Sequence, residues 1–204
     1  VHVRPTEAVL RDFRAQLRRQ QQRERDLTAR RGLAAVTADG VEVALLANLD
    51  VPSEVRLAVD NGARGVGMYR TEYLFLGYQL PTEEEQLEVY SRIVQEMAPH
   101  PVTIRTIDLG GDKLARTLKA PAELNPYLGW RGIRVCLDTP DLFRMQLRAI
   151  LRAGACGDVR VLLPMVASLD ELRAARAHLE EARAELRASG VPFGEHCPLG
   201  VMVE

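Results

Sequence analysis

Short apolar runs alternate with helix-length amphipathic segments from about residue 41 to the last residue. That alternation confines the chain to a parallel α/β sheet, because parallel neighbours need crossover connections of helical length. Residues 41–46, 65–69, 102–104, 159–163 and 199–203 read as five strands. Helices are predicted from Pro52 to about Asn61, Thr82 to Met97, Thr139 to Gly154 and Ser168 to Gly190. Thr82-Glu83-Glu84-Glu85 and Ser168-Leu169-Asp170-Glu171 are capping boxes, and Pro140 sits at the first turn after Thr139. Tyr90, Val94 and Met97, then Phe143, Leu147, Ile150 and Leu151, then Ala175, Leu179, Ala182 and Leu186 mark the buried helix stripes. The expected fold is a (β/α)8 TIM-type barrel truncated after about five strands. An open doubly wound sheet is the alternative, weakened by the lack of a glycine-rich fingerprint opening a helix after a strand.

Residues 6–31 read as one long charged helix, capped by Thr6 and ended by Gly32. Its apolar positions are sparse, as in a connector. The expected division is therefore a linker helix at 1–33 and the first part of a barrel at 34–204. Residues 1–31 carry nine Arg against Glu7, Asp12, Glu24 and Asp26, so this arm is +5 within a chain of net charge -1. A basic arm can bind nucleic acid, but Phe13 is its only aromatic residue, which leaves no stacking platform. A solvated helix with no nucleic-acid partner is expected. Cys136, Cys156 and Cys197 show no CxxC or metal spacing, and no apolar run reaches membrane-spanning length. A cytoplasmic protein without membrane association is expected, and the Val at position 1 and the strand-like final run suggest a fragment of a longer one. His2, His100, His178 and His196 are dispersed and lack a nucleophile context.

Three strand-like runs end on a charge: VGMY on Arg70, VTI on Arg105 and LGVMV on Glu204. Parallel strands would bring these charges to one rim, which is where α/β sheets bind ligands. Two guanidiniums and a carboxylate suit a small polyanion held with a hard divalent metal. Arg70 and Arg105 are thus expected anion ligands, since a buried guanidinium without a counter-charge is costly. The plainer reading pairs Arg70 with Glu72 or with a neighbouring strand. Glu204 is the expected Mg²⁺ ligand, and an ion pair with an arginine is its plainer reading. Between Thr106 and Thr139 lie 32 residues, too long for an idle loop, with Asp108, Gly110, Gly111, Asp112, Lys113, Asn125, Trp130, Arg131 and Arg134 among them. Gly110-Gly111-Asp112-Lys113 could offer amides and an ammonium to a phosphate, although it is no Walker motif. Asp108 and Asp112 could instead orient Arg105 and Lys113. Asn48 and Arg148 are secondary polar candidates, and Arg148 also reads as a structural pair.

The motifs GVGMYRTEYLF, PTEEEQ, IRTIDLGGDK, NPYLGWRGIR, QLRAILRA and LGVMVE follow one another in order. Together they resemble the C-terminal domain of enzyme I of the bacterial phosphoenolpyruvate:sugar phosphotransferase system, over about residues 35–204. The preceding helix resembles that family's linker helix. The resemblance implies a (β/α)8 barrel that binds phosphoenolpyruvate (PEP) and Mg²⁺ and forms a homodimer. It also implies phosphoryl transfer to a histidine on an upstream domain and then to the carrier HPr. Matched position by position, Arg70 and Arg105 stand where the family holds PEP, and Glu204 stands at a metal-binding carboxylate. The phosphorylated histidine, an Asn-Asp pair with the second metal carboxylate, a further substrate arginine and an acid cysteine have no match here. No catalytic residue is therefore expected within these residues, and the chain alone is not expected to complete the reaction. Related readings are a pyruvate phosphate dikinase or PEP synthase barrel, a nitrogen-regulatory paralogue and a fused multi-phosphoryl transfer protein. A non-catalytic dimerisation or regulatory module is the reading from another class.

Overall fold

The computed structural model describes residues 3–77, 79–110 and 129–204. The chain divides into two compact units, Val1–Ala44 and Leu45–Glu204. In the first, helix α1 spans Glu7–Arg30 and buries none of its residues. Thr6 caps it by accepting the Val9 N–H at 3.5 Å. Its polar surface is laced at i,i+4, with Gln20 donating to Glu24 (3.0 Å) and Gln22 to Asp26 (2.9 Å). Beyond the helix, Val36 and Glu42 form an isolated antiparallel bridge around a turn in which Gly40 takes φ 87°.

In the second unit the described elements run β1 (Ala47–Leu49), α2 (Glu54–Asp60), β2 (Val66–Arg70), a 3-10 turn (Thr71–Phe75), α3 (Glu83–Met97) and β3 (Val102–Arg105). Then come α4 (Ile133–Asp138), α5 (Pro140–Ala153), a 3-10 turn (Gly154–Cys156), β4 (Val159–Leu163), α6 (Leu169–Ala188) and β5 (Leu199–Val201). The five strands pair in parallel in chain order, β1-β2-β3-β4-β5. This order has no reversal point, so the doubly wound alternative is not the arrangement adopted by these strands.

The predicted helix starts follow from their caps. Thr82 and Glu85 exchange reciprocal hydrogen bonds (Glu85 N–H to Thr82 Oγ1, 3.3 Å; Thr82 N–H to Glu85 Oε2, 2.8 Å). Ser168 and Glu171 do the same at 3.2 and 2.9 Å. Tyr90, Ile93 and Val94 of α3, Leu147, Ile150 and Leu151 of α5 and Leu179 and Leu186 of α6 join Val102, Ile104, Val159, Val161 and Leu163 in one core. Each large apolar side chain buried there contributes roughly 1.5–3 kcal/mol. Strand alternation turns Thr103, Arg160 and Leu162 to the opposite, less covered face. Among the described residues no helix is long and apolar enough to cross a membrane.

Two sequence expectations are corrected. The first strand is Ala47–Leu49 and not residues 41–46. Val41 and Val43 alternate because they belong to the small antiparallel turn, where Val43 N–H reaches Ala35 O at 2.8 Å. The parallel ladder begins later, with Arg64 N–H donating to Leu45 O (2.8 Å). Gly65 permits the adjoining close approach, since a Cβ there would lie 2.7 Å from Pro101 O. The connection after β3 also contains helix α4, which buries Ile133, Val135 and Cys136. Six residues are too few to show a helical period in the sequence.

Candidate functional site

Because the strands are parallel, their carboxyl ends share one edge, and register places Arg70 opposite Arg105. The site is built from the turns that leave this edge. Thr71–Phe75 carries Glu72 directly beyond β2, and the segment after β3 carries Asp108. Arg105 is 8% exposed. Its Nη2 donates to Glu72 Oε1 at 2.7 Å, and its Nη1 lies 3.2 Å from Asp108 Oδ2. The Asp108 amide donates to the same Glu72 oxygen at 3.2 Å. Asp108 Oδ1 in turn accepts from Arg131 Nε (2.9 Å), and Asp108 O accepts from Arg131 Nη2 (3.1 Å). A continuous chain of charge therefore runs Glu72–Arg105–Asp108–Arg131. The Asp108 hydrogen bond, joined by the fields of Glu204 and Glu72, raises the Arg131 pKa against the opposing effect of burial.

Glu204 lies beyond β5 and accepts the Met165 N–H through Oε1 at 3.0 Å. Met165 presents that amide from a left-handed backbone, φ 61°, just past the end of β4. Met202 comes to the same place from β5, its Sδ 3.7 Å from Arg105 Nη1. Arg70 is more open, 44% exposed at the side chain, and pairs with Asp50 at 3.0 Å. Asn48 is exposed on β1 in register with Met68, one strand away from the core of the cluster. Lys113 lies outside the described residues, as do Gly111, Asp112 and Asn125.

The plainer pairing of Arg70 with Glu72 gives way to Arg70–Asp50, and Glu72 belongs to Arg105. Nor is Arg105 a guanidinium waiting without a counter-charge, since two carboxylates already flank it. Its Nε and the Glu72 Oε2 are two of six buried side-chain polar atoms that lack a hydrogen-bond partner among the described residues. Glu72 was legible only as a neighbour of Arg70. Its pairing across 33 positions depends on strand order, which local sequence does not display. Arg131, likewise, lies just before α4 and meets Asp108 across 23 positions.

Arg148 takes the structural pairing that its plainer reading offered. It sits on α5, where Nε meets Glu83 Oε2 of α3 at 2.7 Å and Nη1 meets Glu185 Oε2 of α6 at 3.1 Å. Arg152 reaches the same Glu83 at 2.7 Å. With these pairs only partly exposed, Arg148→Ala is expected to lower stability by about 1–2 kcal/mol in chemical denaturation. Ligand affinity at the strand ends should stay within a factor of about two. A tenfold loss of affinity in calorimetry would return Arg148 to the site.

Burial pushes the Cys136 thiol up to about 12 and the Cys197 thiol up to about 11, so both stay protonated near neutral pH. Among the described residues no group of three or more His, Cys, Asp or Glu is gathered as a metal centre. Glu204 supplies one hard oxygen ligand of the kind Mg²⁺ takes.

Residues 24–204 match the family model described as PEP-utilising enzyme, PEP-binding domain. The chain is 43% identical over 205 residues to the phosphoenolpyruvate-protein phosphotransferase of Staphylococcus carnosus, covering 100% of this chain and 36% of that protein. It is 48% identical over 172 residues to the protein of that name from Geobacillus stearothermophilus (84% of this chain, 30% of the relative). With the Staphylococcus aureus protein of the same name the identity is 42% over 205 residues, again 100% of this chain and 36% of the relative. The chain thus spans about a third of the length of these curated relatives.

Proposed function

We propose, from the premise that this chain belongs to the PEP-utilising enzymes as their PEP-binding domain, that its strand-end rim binds PEP with Mg²⁺ for phosphoryl transfer to a protein. The observation that carries the reading is the register of Arg70 with Arg105, which sets two arginine positions side by side at the carboxyl edge. PEP bears a phosphate and a carboxylate, and guanidinium forks match both. Phosphoryl transfer asks little covalent chemistry of a protein; it needs positioning and charge stabilisation. The relatives' name adds the reaction class. On this reading the phosphoryl group passes to a histidine and then to HPr, in the cytoplasm, from a homodimer. The five strands are the first part of a (β/α)8 barrel preceded by a linker helix. Asn48 and Lys113 remain proposed as secondary ligands, and Asp108 orients Arg105.

Charge balance supports a part for the metal. Arg70, Arg105 and Arg131 stand with Asp50, Glu72, Asp108 and Glu204, so among the described residues carboxylates outnumber guanidiniums at the rim. A multiply charged anion entering such a rim is favoured when a dication comes with it. Glu204 would hold Mg²⁺, which supplies charge neutralisation for the phosphate when bound.

The test is calorimetric titration with PEP, on this chain or on a longer polypeptide carrying it. Affinity is expected to fall by about tenfold or more when Mg²⁺ is withheld, and by a similar factor in Arg70→Ala. Unaltered affinity in both cases would overturn the assignment. The relatives' common name favours this reading over the dikinase and PEP synthase alternatives.

A further inference from the structure

Gln146 lies on α5 with no exposed surface, and both ends of its amide are engaged. Its Oε1 accepts the Ile107 N–H at 3.0 Å. Its Nε2 lies 3.2 Å from Thr71 Oγ1 and 3.2 Å from the Tyr90 hydroxyl. Thr71 Oγ1 then donates a hydrogen bond to Arg105 O at 3.0 Å. Ile107 immediately precedes Asp108, and Thr71 immediately precedes Glu72. The two carboxylates that grip the Arg105 guanidinium are thus each one residue beyond a group held by the same buried amide. The third contact leads away from the site: Tyr90 donates to Gln86 Oε1 (3.1 Å), and Gln86 Nε2 donates to Pro81 O (3.2 Å).

We propose that Gln146 is a positioning residue, a single planar amide that sets the spacing between Glu72 and Asp108 and thereby the orientation of Arg105. The amide is rigid and sits where water cannot substitute for a lost partner, so the turns after β2 and β3 are held in one mutual register. A carboxylate at this position would keep the acceptor for Ile107 and lose the donors to Thr71 and Tyr90. An apolar residue would lose all three. The consequence for ligand binding rests on the PEP reading above, whereas the placement of the carboxylates does not.

Three substitutions separate positioning from support of the core. Gln146→Leu removes the whole junction, Thr71→Val removes one of the two arms toward the site and leaves the Ile107 arm, and Tyr90→Phe removes only the arm toward α3. Each is measured by thermal unfolding, by the NMR resonances of the Arg105 Nε–H and the Asp108 amide, and by calorimetry with PEP and Mg²⁺. Gln146→Leu and Thr71→Val are expected to shift or broaden both resonances and to weaken PEP binding by about tenfold. Tyr90→Phe is expected to lower the melting temperature and leave the resonances and the affinity in place. If Gln146→Leu does not fold, Thr71→Val against Tyr90→Phe carries the same comparison. Resonances that stay unmoved in Thr71→Val, or that move equally in Tyr90→Phe, would overturn the proposal. Resonances that respond as expected in a protein that binds no PEP would uphold the positioning role and retire the PEP reading.

Discussion

Arg105→Ala is expected to weaken PEP binding by about 100-fold or more, the largest effect of any single change at the rim. The guanidinium would lose its fork toward the ligand, and the protein would lose the cation between Glu72 and Asp108. Those carboxylates are 18% and 6% exposed at the side chain, so water cannot take over the role of Arg105. Asp108 would keep Arg131 (2.9 Å), but Glu72 would be left without its cation, at a cost of about 3–5 kcal/mol. Calorimetry and chemical denaturation of the same variant read the two effects separately. Arg105→Lys is the informative companion, because it restores the charge without the planar fork. Stability should recover largely, while affinity should recover little. Recovery of both would mean that the ligand is held by charge alone, and retention of full affinity in Arg105→Ala would remove Arg105 from the site.

Phe143→Ala is expected to cost about 3–5 kcal/mol, the largest effect in the core. Phe143 is 1% exposed on α5 and meets the His178 ring of α6 edge-on, with centroids 5.8 Å apart at 75°. Removing the ring would open a cavity between two helices that are also tied by Arg144 and Arg148 to Glu185. A loss of this size is a large fraction of the roughly 5–15 kcal/mol that holds most domains folded. The urea midpoint should drop with little change in slope, since the surface exposed on unfolding hardly alters. A loss below about 1 kcal/mol would mean that the seam between α5 and α6 closes over the gap.

Elements announced by several local signals at once were legible in the sequence. Helices α3 and α6 combine a capping box with an apolar stripe, and α5 combines Pro140 with one, so each begins where expected. Strands β2, β3 and β4 follow their apolar runs closely. The misplaced first strand shows the limit, because an alternating run such as VEVALL serves a small turn as readily as a sheet. Helix α4 was hidden by its shortness. At the site, local reading reached the charged strand ends but not their partners. Asp50 for Arg70 and Glu72 for Arg105 are neighbours only once β1, β2 and β3 stand side by side. Arg148 stayed open between two readings for a related reason: a charge on an amphipathic helix looks alike whether it faces a ligand or a neighbouring helix. Gln146 sits inside a quoted motif yet drew no attention, because a buried amide leaves no periodic trace.

If the rim binds its ligand as proposed, the two carboxylates that flank Arg105 turn ligand entry into an exchange. An arriving anion must displace an internal competitor that is tethered and always present. Chloride, or a single small oxyanion, brings too little to displace Glu72 or Asp108. A ligand that engages Arg70 and Arg105 together, and arrives with its own cation, brings enough. On the proposed reading, the ion pairs around Arg105 would act as a threshold against simple anions, and selectivity would be set before any catalytic group is engaged.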